Sequence, residues 1–371
     1  MKGGRGGIRR VVKVAALAVS CLLALVLASF ALPVETWRTG ELPAPPLDVV
    51  PGGPEVRLPP RVWIDTDAAC GTGERNDPDD CFALLLLIAR TPGIEVVGVS
   101  TVFGNAPLAD TDAVARDLLA RLRGVGVPVP PVHTGASGPT GTRGGAGETP
   151  GARALRHAME EGPLTIVALG PLTNLAEAVR GAGPLAGHRL VAVMGRRPGH
   201  LFHPAEGEGD GVLFGHGPVF SDFNFAQDPE AVRQVMATDI PATLVPYEAA
   251  RSMTITADDL ARLEASPESA WVAERAGGWL GFWDDMVGIG GFYPFDLAAA
   301  VYVADPTALD CAAAHGSVTR DEKLLLFPRH PLALLVGPEA RADTRPVIYC
   351  TAMRPRPSAG IVPLLAGVSG R

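Results

Sequence analysis

Short apolar runs alternate with segments of helical periodicity from Arg61 onward, and this alternation limits the possible folds more than any other feature. In chain order the segments are VWID, CFALLLLIAR, IEVVGVSTV, LADTDAVARDLLARL, PVH, LTIVALG, LTNLAEAVR and RLVAVMG. Strands that alternate with amphipathic helices pair in parallel, and helices cover both faces of such a sheet. The sequence therefore predicts a single α/β domain with a mainly parallel central sheet flanked by helices. Ligands of such sheets bind beyond the carboxyl ends of the strands.

Polar residues stand at the predicted carboxyl ends of these strands. Asp65 and Asp67 close the first strand, and Asn105 follows the second. Two carboxylates about 4 Å apart repel each other by roughly 4 kcal/mol at an effective dielectric near 20, so several converging carboxylates require a cation. Because aspartate dominates and no Cys/His spacing of the zinc type is present, calcium or magnesium is favoured over transition metals.

Other polar residues in this part of the chain can be explained as helix caps. Asp77, in the stretch NDPDD, is interpreted as part of a solvated acidic turn or as an N-cap. Asn174 is interpreted as the cap of the helix LAEAVR, and Asp228 as the N-cap before Pro229. Asn224 lies between two phenylalanines at the end of what reads as an apolar strand, where its amide needs a hydrogen-bond partner.

The net charge of the chain argues against a nucleic-acid ligand. Its net charge is −8, and the body of the chain lacks the clustered Lys and Arg that phosphate binding needs, which excludes a nucleic-acid partner. With 371 residues, of which 47% are hydrophobic, the chain can bury a sizeable core. These properties favour small-molecule chemistry.

The N-terminal residues differ from the rest. Residues 1–13 carry five cationic side chains and no acid, and an uncharged run follows from Val14 to Val34. Residues 1–34 therefore indicate a signal peptide or an N-terminal membrane anchor, and either one places the body outside the cytoplasm, exported (periplasmic or extracellular) or tethered to the membrane. Residues 35–60 contain seven prolines and predict an extended linker to the domain formed by residues 61–371.

Six motifs, in order, resemble the inosine-uridine-preferring nucleoside hydrolase family. The family opens with D-x-D-x-G-x-D-D and an apolar helix, which are matched by Asp65, Asp67, Asp79, Asp80 and FALLLL. The other matches are GVSTVFGNAPL, ALGPLTNLA, VAVMGRR, SDFNFAQDPEAV and YPFDLAAAVYVADP. The resemblance covers roughly residues 61–310 and implies the nucleoside hydrolase fold, with its Rossmann-like core.

The resemblance implies calcium-dependent hydrolysis of the N-glycosidic bond of a ribonucleoside, or of a similar N-riboside, to free base and ribose. Asp67 would be the general base that activates a metal-bound water. The implied Ca²⁺ ligands are Asp67, Asp80, Asp296 and the backbone carbonyl of Leu169. The residues implied to bind the sugar hydroxyls are Asp79, Asn105, Asp222 and Asn224. Asp65 would orient the ligands. The resemblance also implies a homo-oligomer, either a dimer or a tetramer.

The loop after Asp67 departs from the family pattern. Residues 68–79 separate Asp67 from the second metal aspartate, which is eight more residues than the family has. The insertion either bulges outward or covers the sugar pocket. Because Asp77 and Asp79 are two positions apart, either one could meet the ribose.

Four cysteines follow the N-terminal segment, and an oxidising compartment permits them to form disulfides. Cys70 with Cys81 is the pairing to test first, because a bridge between them would close the long loop.

The part of the site that would protonate the leaving base also departs from the family pattern. Phe295 stands where many members have a histidine, His216 where the family has an asparagine, and Asp222 where it has a glutamate. His216 is the candidate acid, because histidine titrates near neutrality. Candidates for stacking on a planar base are Trp283, Phe292 and Tyr293. Trp279 is interpreted as a core residue.

Two other functions are compatible with the sequence. A protein that kept the metal and sugar sites but lost the leaving-group acid would bind a sugar or nucleoside without turnover. The stretch DTDAA also suggests a phosphohydrolase of the haloacid dehalogenase type. That second alternative is disfavoured, because it needs a downstream lysine and the middle of the chain has almost none.

Overall fold

The computed structural model describes residues 13–14, 16–24, 45–141, 148–199, 221–322, 332–354 and 361–365. The strands in these residues are β1 (Val49–Val50), β2 (Arg61–Thr66), β3 (Glu95–Thr101), β4 (Val132–Thr134), β5 (Thr165–Ala168), β6 (Arg189–Ala192), β7 (Ala242–Leu244), β8 (Leu309–Arg320), β9 (Leu332–Gly337) and β10 (Arg345–Met353).

Helices connect most of these strands. They are α1 (Asp79–Leu85), which continues as a π-helical turn (Leu86–Arg90), α2 (Leu108–Gly124), α3 (Pro150–Glu160), α4 (Thr173–Ala178), α5 (Phe223–Gln227), α6 (Pro229–Met236), α7 (Tyr247–Ala250), α8 (Ala257–Leu263), α9 (Ala270–Met286), α10 (Phe295–Ala304) and α11 (Ile361–Leu365).

The strands form one sheet in the order β1-β8-β10-β7-β6-β5-β2-β3-β4, with β9 also paired to β8. Neighbouring strands from β10 to β4 in this order pair in parallel. β1, β9 and β10 pair with β8 in the antiparallel direction. The prediction of a single α/β domain with a mainly parallel central sheet is confirmed.

Each face of the sheet is covered by its own hydrophobic core. Val62 and Ile64 of β2 belong to one core, which is covered by α1, α2, α9 and α10. Trp63 belongs to the other core, which is covered by α3, α4 and α6. Side chains alternate across a strand, so a strand with helices on both faces must be apolar on both faces. Its polar residues are therefore confined to its ends.

Two segments differ from the sequence-based expectation. The proline-rich stretch predicted as a linker includes β1, which pairs with Cys311 and Ala312 of β8 and so adds an edge to the sheet. Asn224, which was expected at a strand end, lies in the short helix α5. A pattern of alternating phenylalanines does not distinguish a short strand from one buried helical turn.

The predicted signal or anchor segment lies largely outside the described residues. Within the parts of the chain that the structure describes, no helix combines the length and the apolar character needed to cross a membrane.

Two disulfides join buried cysteines. Cys70 and Cys81, the pair to be tested first, form a disulfide that ties the long loop after β2 to α1. A second bridge joins Cys311 of β8 to Cys350 of β10, which face each other across the two paired strands. The first bridge joins the two ends of the inserted loop. The start of α1 is therefore held near the end of β2, whatever the conformation of the exposed tip of the loop.

Replacing both Cys70 and Cys81 with serine is expected to lower the free energy of unfolding by about 3 kcal/mol, because the unfolded chain regains the entropy of an open loop. Urea unfolding of the oxidised protein measures the change. The control is Cys21→Ser, which removes an exposed cysteine that has no disulfide. Equal stability of the double variant and the control would contradict a structural bridge.

Candidate active site

Asp67, Asp80 and Asp296 form a buried cluster at the carboxyl end of the sheet. Asp67 directly follows β2, whereas Asp80 and Asp296 lie in the first turns of α1 and α10. A carboxylate oxygen of each residue lies within 4.8 Å of one from each of the others. All three residues are buried, with at most 4% of their surface exposed. Three of the four predicted metal ligands are therefore brought together.

The surroundings make full ionisation of this cluster unfavourable. Burial, followed by repulsion from neighbouring aspartates, raises the pKa of Asp67 and of Asp296 well above the ordinary range. Burial and the neighbouring Asp79 raise the pKa of Asp80 to about 6. None of the ion pairs within the described residues involves these three carboxylates. A group of hard oxygen donors without a cationic partner fits a divalent cation such as Ca²⁺ or Mg²⁺.

Asn105 holds two members of the cluster in position. Its backbone N–H donates to Asp67 Oδ2 at 2.9 Å, and its side-chain Nδ2 donates to Asp80 Oδ2 at 3.0 Å. The close approach depends on Gly104, whose φ is 157° and where an added Cβ would lie 1.8 Å from Asp67 Oδ2. The loop after β3 therefore fixes the separation of Asp67 from Asp80.

Asp65 is fully buried and faces a polar network instead of the cavity. Its Oδ1 accepts hydrogen bonds from Ser100 Oγ and from Asn174 Nδ2, the latter at 2.7 Å. Burial raises the pKa of Asp65 to about 7, although these two hydrogen bonds oppose the shift. The predicted supporting role of Asp65 fits this arrangement.

The interpretation of Asn174 as a helix cap is wrong. Asn174 lies inside α4 and is fully buried. Besides donating to Asp65, its Nδ2 donates to Thr101 O at 3.0 Å, and its Oδ1 accepts from the N–H of Ala136 at 2.9 Å. One amide therefore joins the ends of β2 and β3 to the loop after β4. Asp228, by contrast, accepts from the N–H of Ala231 at 3.0 Å, which confirms its predicted N-cap.

The start of α1 places two further carboxylates beside the cluster. Asp79 Oδ2 accepts from the backbone N–H of Asp296 at 2.7 Å, and this bond ties α1 to α10. Asp77 Oδ1 accepts from the backbone N–H of Asp79 at 3.2 Å. The expectation of a solvated Asp77 is wrong, because this residue is 8% exposed and lines the same cavity as Asp79. The disulfide holds this end of the inserted loop against the domain.

A cavity of about 440 Å³ opens beside the cluster. Its polar side is formed by Asp79, Asn105, Leu169, Asp222, Asn224 and Asp296, and its aromatic side by Phe223, Tyr247, Trp279, Phe282, Trp283 and Phe295. The two sides suit a polar sugar and a planar, less polar group. The predicted sugar-binding residues all line this cavity.

Asp222 and Asn224 are held by the backbone at the polar side. Asp222 accepts from the N–H of Gly195 at 2.7 Å and caps α5, and burial raises the pKa of this carboxyl to about 6. Asn224 Nδ2 donates to the carbonyl oxygens of Leu169 and Val193. The carbonyl predicted to be the fourth metal ligand thus already accepts one hydrogen bond, and its second lone pair is available to a cation.

The aromatic side corrects several expectations. Trp279, interpreted as core, lines the cavity together with Trp283. Phe292, a candidate for stacking, is fully buried and belongs to the core. Tyr293 packs edge-on against Trp283, with ring centroids 5.1 Å apart. Aromatic residues at helical spacing give the same sequence pattern whether they face the core or a cavity. Which of them reach the cavity depends on how α9 packs against neighbouring elements.

Phe295 lines the cavity where a histidine was expected on family resemblance, and its ring is stacked on Tyr247 at 6.0 Å. His216, the predicted acid, lies outside the described residues. Several residues that line the cavity were not predicted from the sequence, among them Arg75, Phe223, Tyr247 and Phe282. Phe223 lies inside the motif SDFNFAQDPEAV, but no motif marks Arg75, Tyr247 or Phe282, because they reach the site through the tertiary packing of separate loops and helices.

Comparisons with known proteins agree with this architecture. A family model described as inosine-uridine preferring nucleoside hydrolase matches residues 62–332. The uncharacterised protein C1683.06c of Schizosaccharomyces pombe is 29% identical over 232 residues, which are 56% of this chain and 67% of that protein. Uridine nucleosidase 1 of Arabidopsis thaliana is 28% identical over 231 residues, which are 55% of this chain and 61% of that protein.

Solved structures include a plant nucleoside hydrolase that superposes with a TM-score of 0.60. The match covers 83% of this chain and 98% of the plant chain, at 20% sequence identity. At this identity the likeness concerns the fold.

Calcium is expected to raise the melting temperature of the protein relative to a chelator-treated sample, because it neutralises the buried carboxylates. A cation whose free concentration is 100 times its dissociation constant adds about 2.7 kcal/mol to the free energy of unfolding. Asp296→Asn should lose most of this increase, whereas the control Asp117→Asn, on the exposed side of α2, should keep it. Equal responses of the two variants in a thermal melt would show that calcium acts elsewhere.

Proposed function

The chain belongs to the inosine-uridine preferring nucleoside hydrolase family, whose members are hydrolases that act on N-glycosyl compounds, and we propose that it hydrolyses a ribonucleoside or a similar N-riboside to free base and ribose. The observation that carries the proposal is the buried cluster of Asp67, Asp80 and Asp296, of which Asp296 lines a cavity that is also lined by several aromatic side chains. Water can attack the sugar beside the carboxylates while the base departs toward the aromatic side chains.

We propose that the resident cation is Ca²⁺, held by Asp67, Asp80, Asp296 and the carbonyl oxygen of Leu169. Support comes from the donor set, which consists of oxygen atoms alone, and from the raised pKa values of the three carboxyls, which reflect burial and mutual repulsion. When bound, the cation supplies positive charge that neutralises these carboxylates and makes water in the site more acidic.

Asp67 is proposed as the general base. It would take a proton from the water that attacks the anomeric carbon, while Asn105 keeps the carboxylate aimed by its two N–H donors. The sugar hydroxyls would be bound by Asp79, Asn105, Asp222 and Asn224. Carboxylates around the sugar also stabilise the positive charge that develops on an oxocarbenium-like ring as the bond to the base lengthens.

A second candidate function is binding of a sugar or nucleoside without turnover. The observation that favours it is Phe295, a ring without a proton to donate, at the aromatic side of the cavity. Calorimetry that detects nucleoside binding, combined with no release of base over long incubation, would support this second function over hydrolysis.

We also propose that residues 1–34 direct the protein out of the cytoplasm or tether it to the membrane, and that the protein forms a homo-oligomer. The two disulfides support export, because disulfides persist in oxidising compartments. Cell fractionation tests the location of the protein, and light scattering tests its oligomeric state. A full-length cytoplasmic monomer would contradict both.

Purified protein with calcium is expected to release ribose from at least one member of a panel that includes uridine and inosine, measured as reducing sugar. Asp67→Asn should lower kcat by about 10³-fold without unfolding the protein, because the general base is lost. The matched control Asp117→Asn changes an exposed aspartate of α2 and should keep wild-type activity. Release of ribose at equal rates by both variants would rule out Asp67 as the base.

A further inference from the structure

The inserted loop brings a positive charge to the cavity. Among the described residues that line it, Arg75 is the one with a cationic side chain. None of the ion pairs within the described residues involves Arg75, whose side chain is exposed. Its N–H donors are therefore available to a ligand.

The guanidinium of Arg75 lies on the aromatic side of the cavity. Its Cζ is 5.6 Å from the centroid of the Phe282 ring. Phe282 in turn stacks on Trp279, with ring centroids 5.2 Å apart and planes 29° from parallel. A guanidinium held over a ring keeps the N–H groups at its edge free for hydrogen bonds in its own plane. Arg75 is thus placed to contact a planar group that is packed among these rings.

The loop that carries Arg75 is fixed at several points. The bridge between Cys70 and Cys81 closes its base, and the backbone N–H of Asn76 donates to Gly73 O. The loop backbone also packs tightly on α9, because a Cβ added at Gly278 would lie 3.1 Å from Glu74 Cα. A charge held in place before the reaction stabilises a transition state better than one that must first be ordered.

We propose that Arg75 stabilises the leaving group, a role that rests on the proposed hydrolysis. As the N-glycosidic bond breaks, its electron pair moves to the departing ring nitrogen and is delocalised over the base. Arg75 donates hydrogen bonds to this developing anion. Water adds its oxygen to the anomeric carbon and gives one proton to Asp67, which later returns it to solvent, and the departed base takes up a proton from solvent water. Phe295, which has no proton to give, is consistent with such a path.

The test compares two leaving groups in the calcium-loaded, oxidised protein. A nucleoside base is a poor leaving group, whereas the nitrophenolate of 4-nitrophenyl β-D-ribofuranoside leaves with little help. Arg75→Ala should lower kcat/KM for nucleosides by about 30-fold, which corresponds to one charged hydrogen bond, and lower that for the nitrophenyl riboside less than about threefold. Arg75→Lys, which keeps the charge but not the planar donors, should fall between wild type and alanine on nucleosides.

Arg123→Ala, at an exposed position near the end of α2, is the matched control and should leave both substrates unaffected. The free base should also inhibit Arg75→Ala less strongly than wild type when the nitrophenyl riboside is the substrate. Equal losses on both substrates, or no loss on nucleosides, would overturn the role of Arg75.

The wild-type protein separates failure of this inference from failure of the proposed function. If it cleaves nucleosides and Arg75→Ala cleaves them just as fast, the proposed hydrolysis stands and the role of Arg75 fails. If it cleaves neither substrate, the proposed hydrolysis fails, and the role of Arg75 fails with it.

Discussion

Repulsion among the buried carboxylates of Asp67, Asp80 and Asp296 is the constraint on which the rest of the site depends. Oxygen atoms no more than 4.8 Å apart imply at least about 3.5 kcal/mol of repulsion for each ionised pair at an effective dielectric near 20. Such a cluster persists in a folded protein when hydrogen bonds hold the carboxylates in place or when a cation neutralises their charge. Here Asn105 donates to Asp67 and Asp80, and the bond from the Asp296 N–H to Asp79 ties α10, which carries Asp296, to α1, which carries Asp80.

The long loop after β2 does not separate the carboxylates of the cluster. Residues 68–79 separate Asp67 from Asp80, yet both carboxylates remain in one cluster, because the disulfide closes the loop at its base. The extra residues are therefore free to serve another purpose. Arg75 and Asn76 of the loop line the cavity, and the guanidinium of Arg75 lies over the ring of Phe282, so the insertion adds a cationic side chain to the aromatic lining.

Local sequence patterns predicted the structural features that depend mainly on residues close together in the chain. Strand and helix periodicity predicted the parallel sheet, and an aspartate before Pro229 predicted the N-cap of α6. Long-range contacts decided the features that were missed. Asn174 follows the pattern of a cap but bonds to Asp65, which is 109 residues away in the sequence, and Trp279 has the spacing of a core residue but reaches the cavity. No sequence pattern indicated that Arg75 reaches the cavity, because its position depends on how the loop packs on α9.

The central claim is that one divalent cation is shared by the three carboxylates. The most direct measurement is a crystal structure of the protein grown with calcium, with anomalous scattering to identify the ion. One calcium is expected to be bonded to carboxylate oxygens of Asp67, Asp80 and Asp296 at about 2.3–2.6 Å. Calcium bound elsewhere, with these carboxyl groups joined to one another by shared protons, would contradict it.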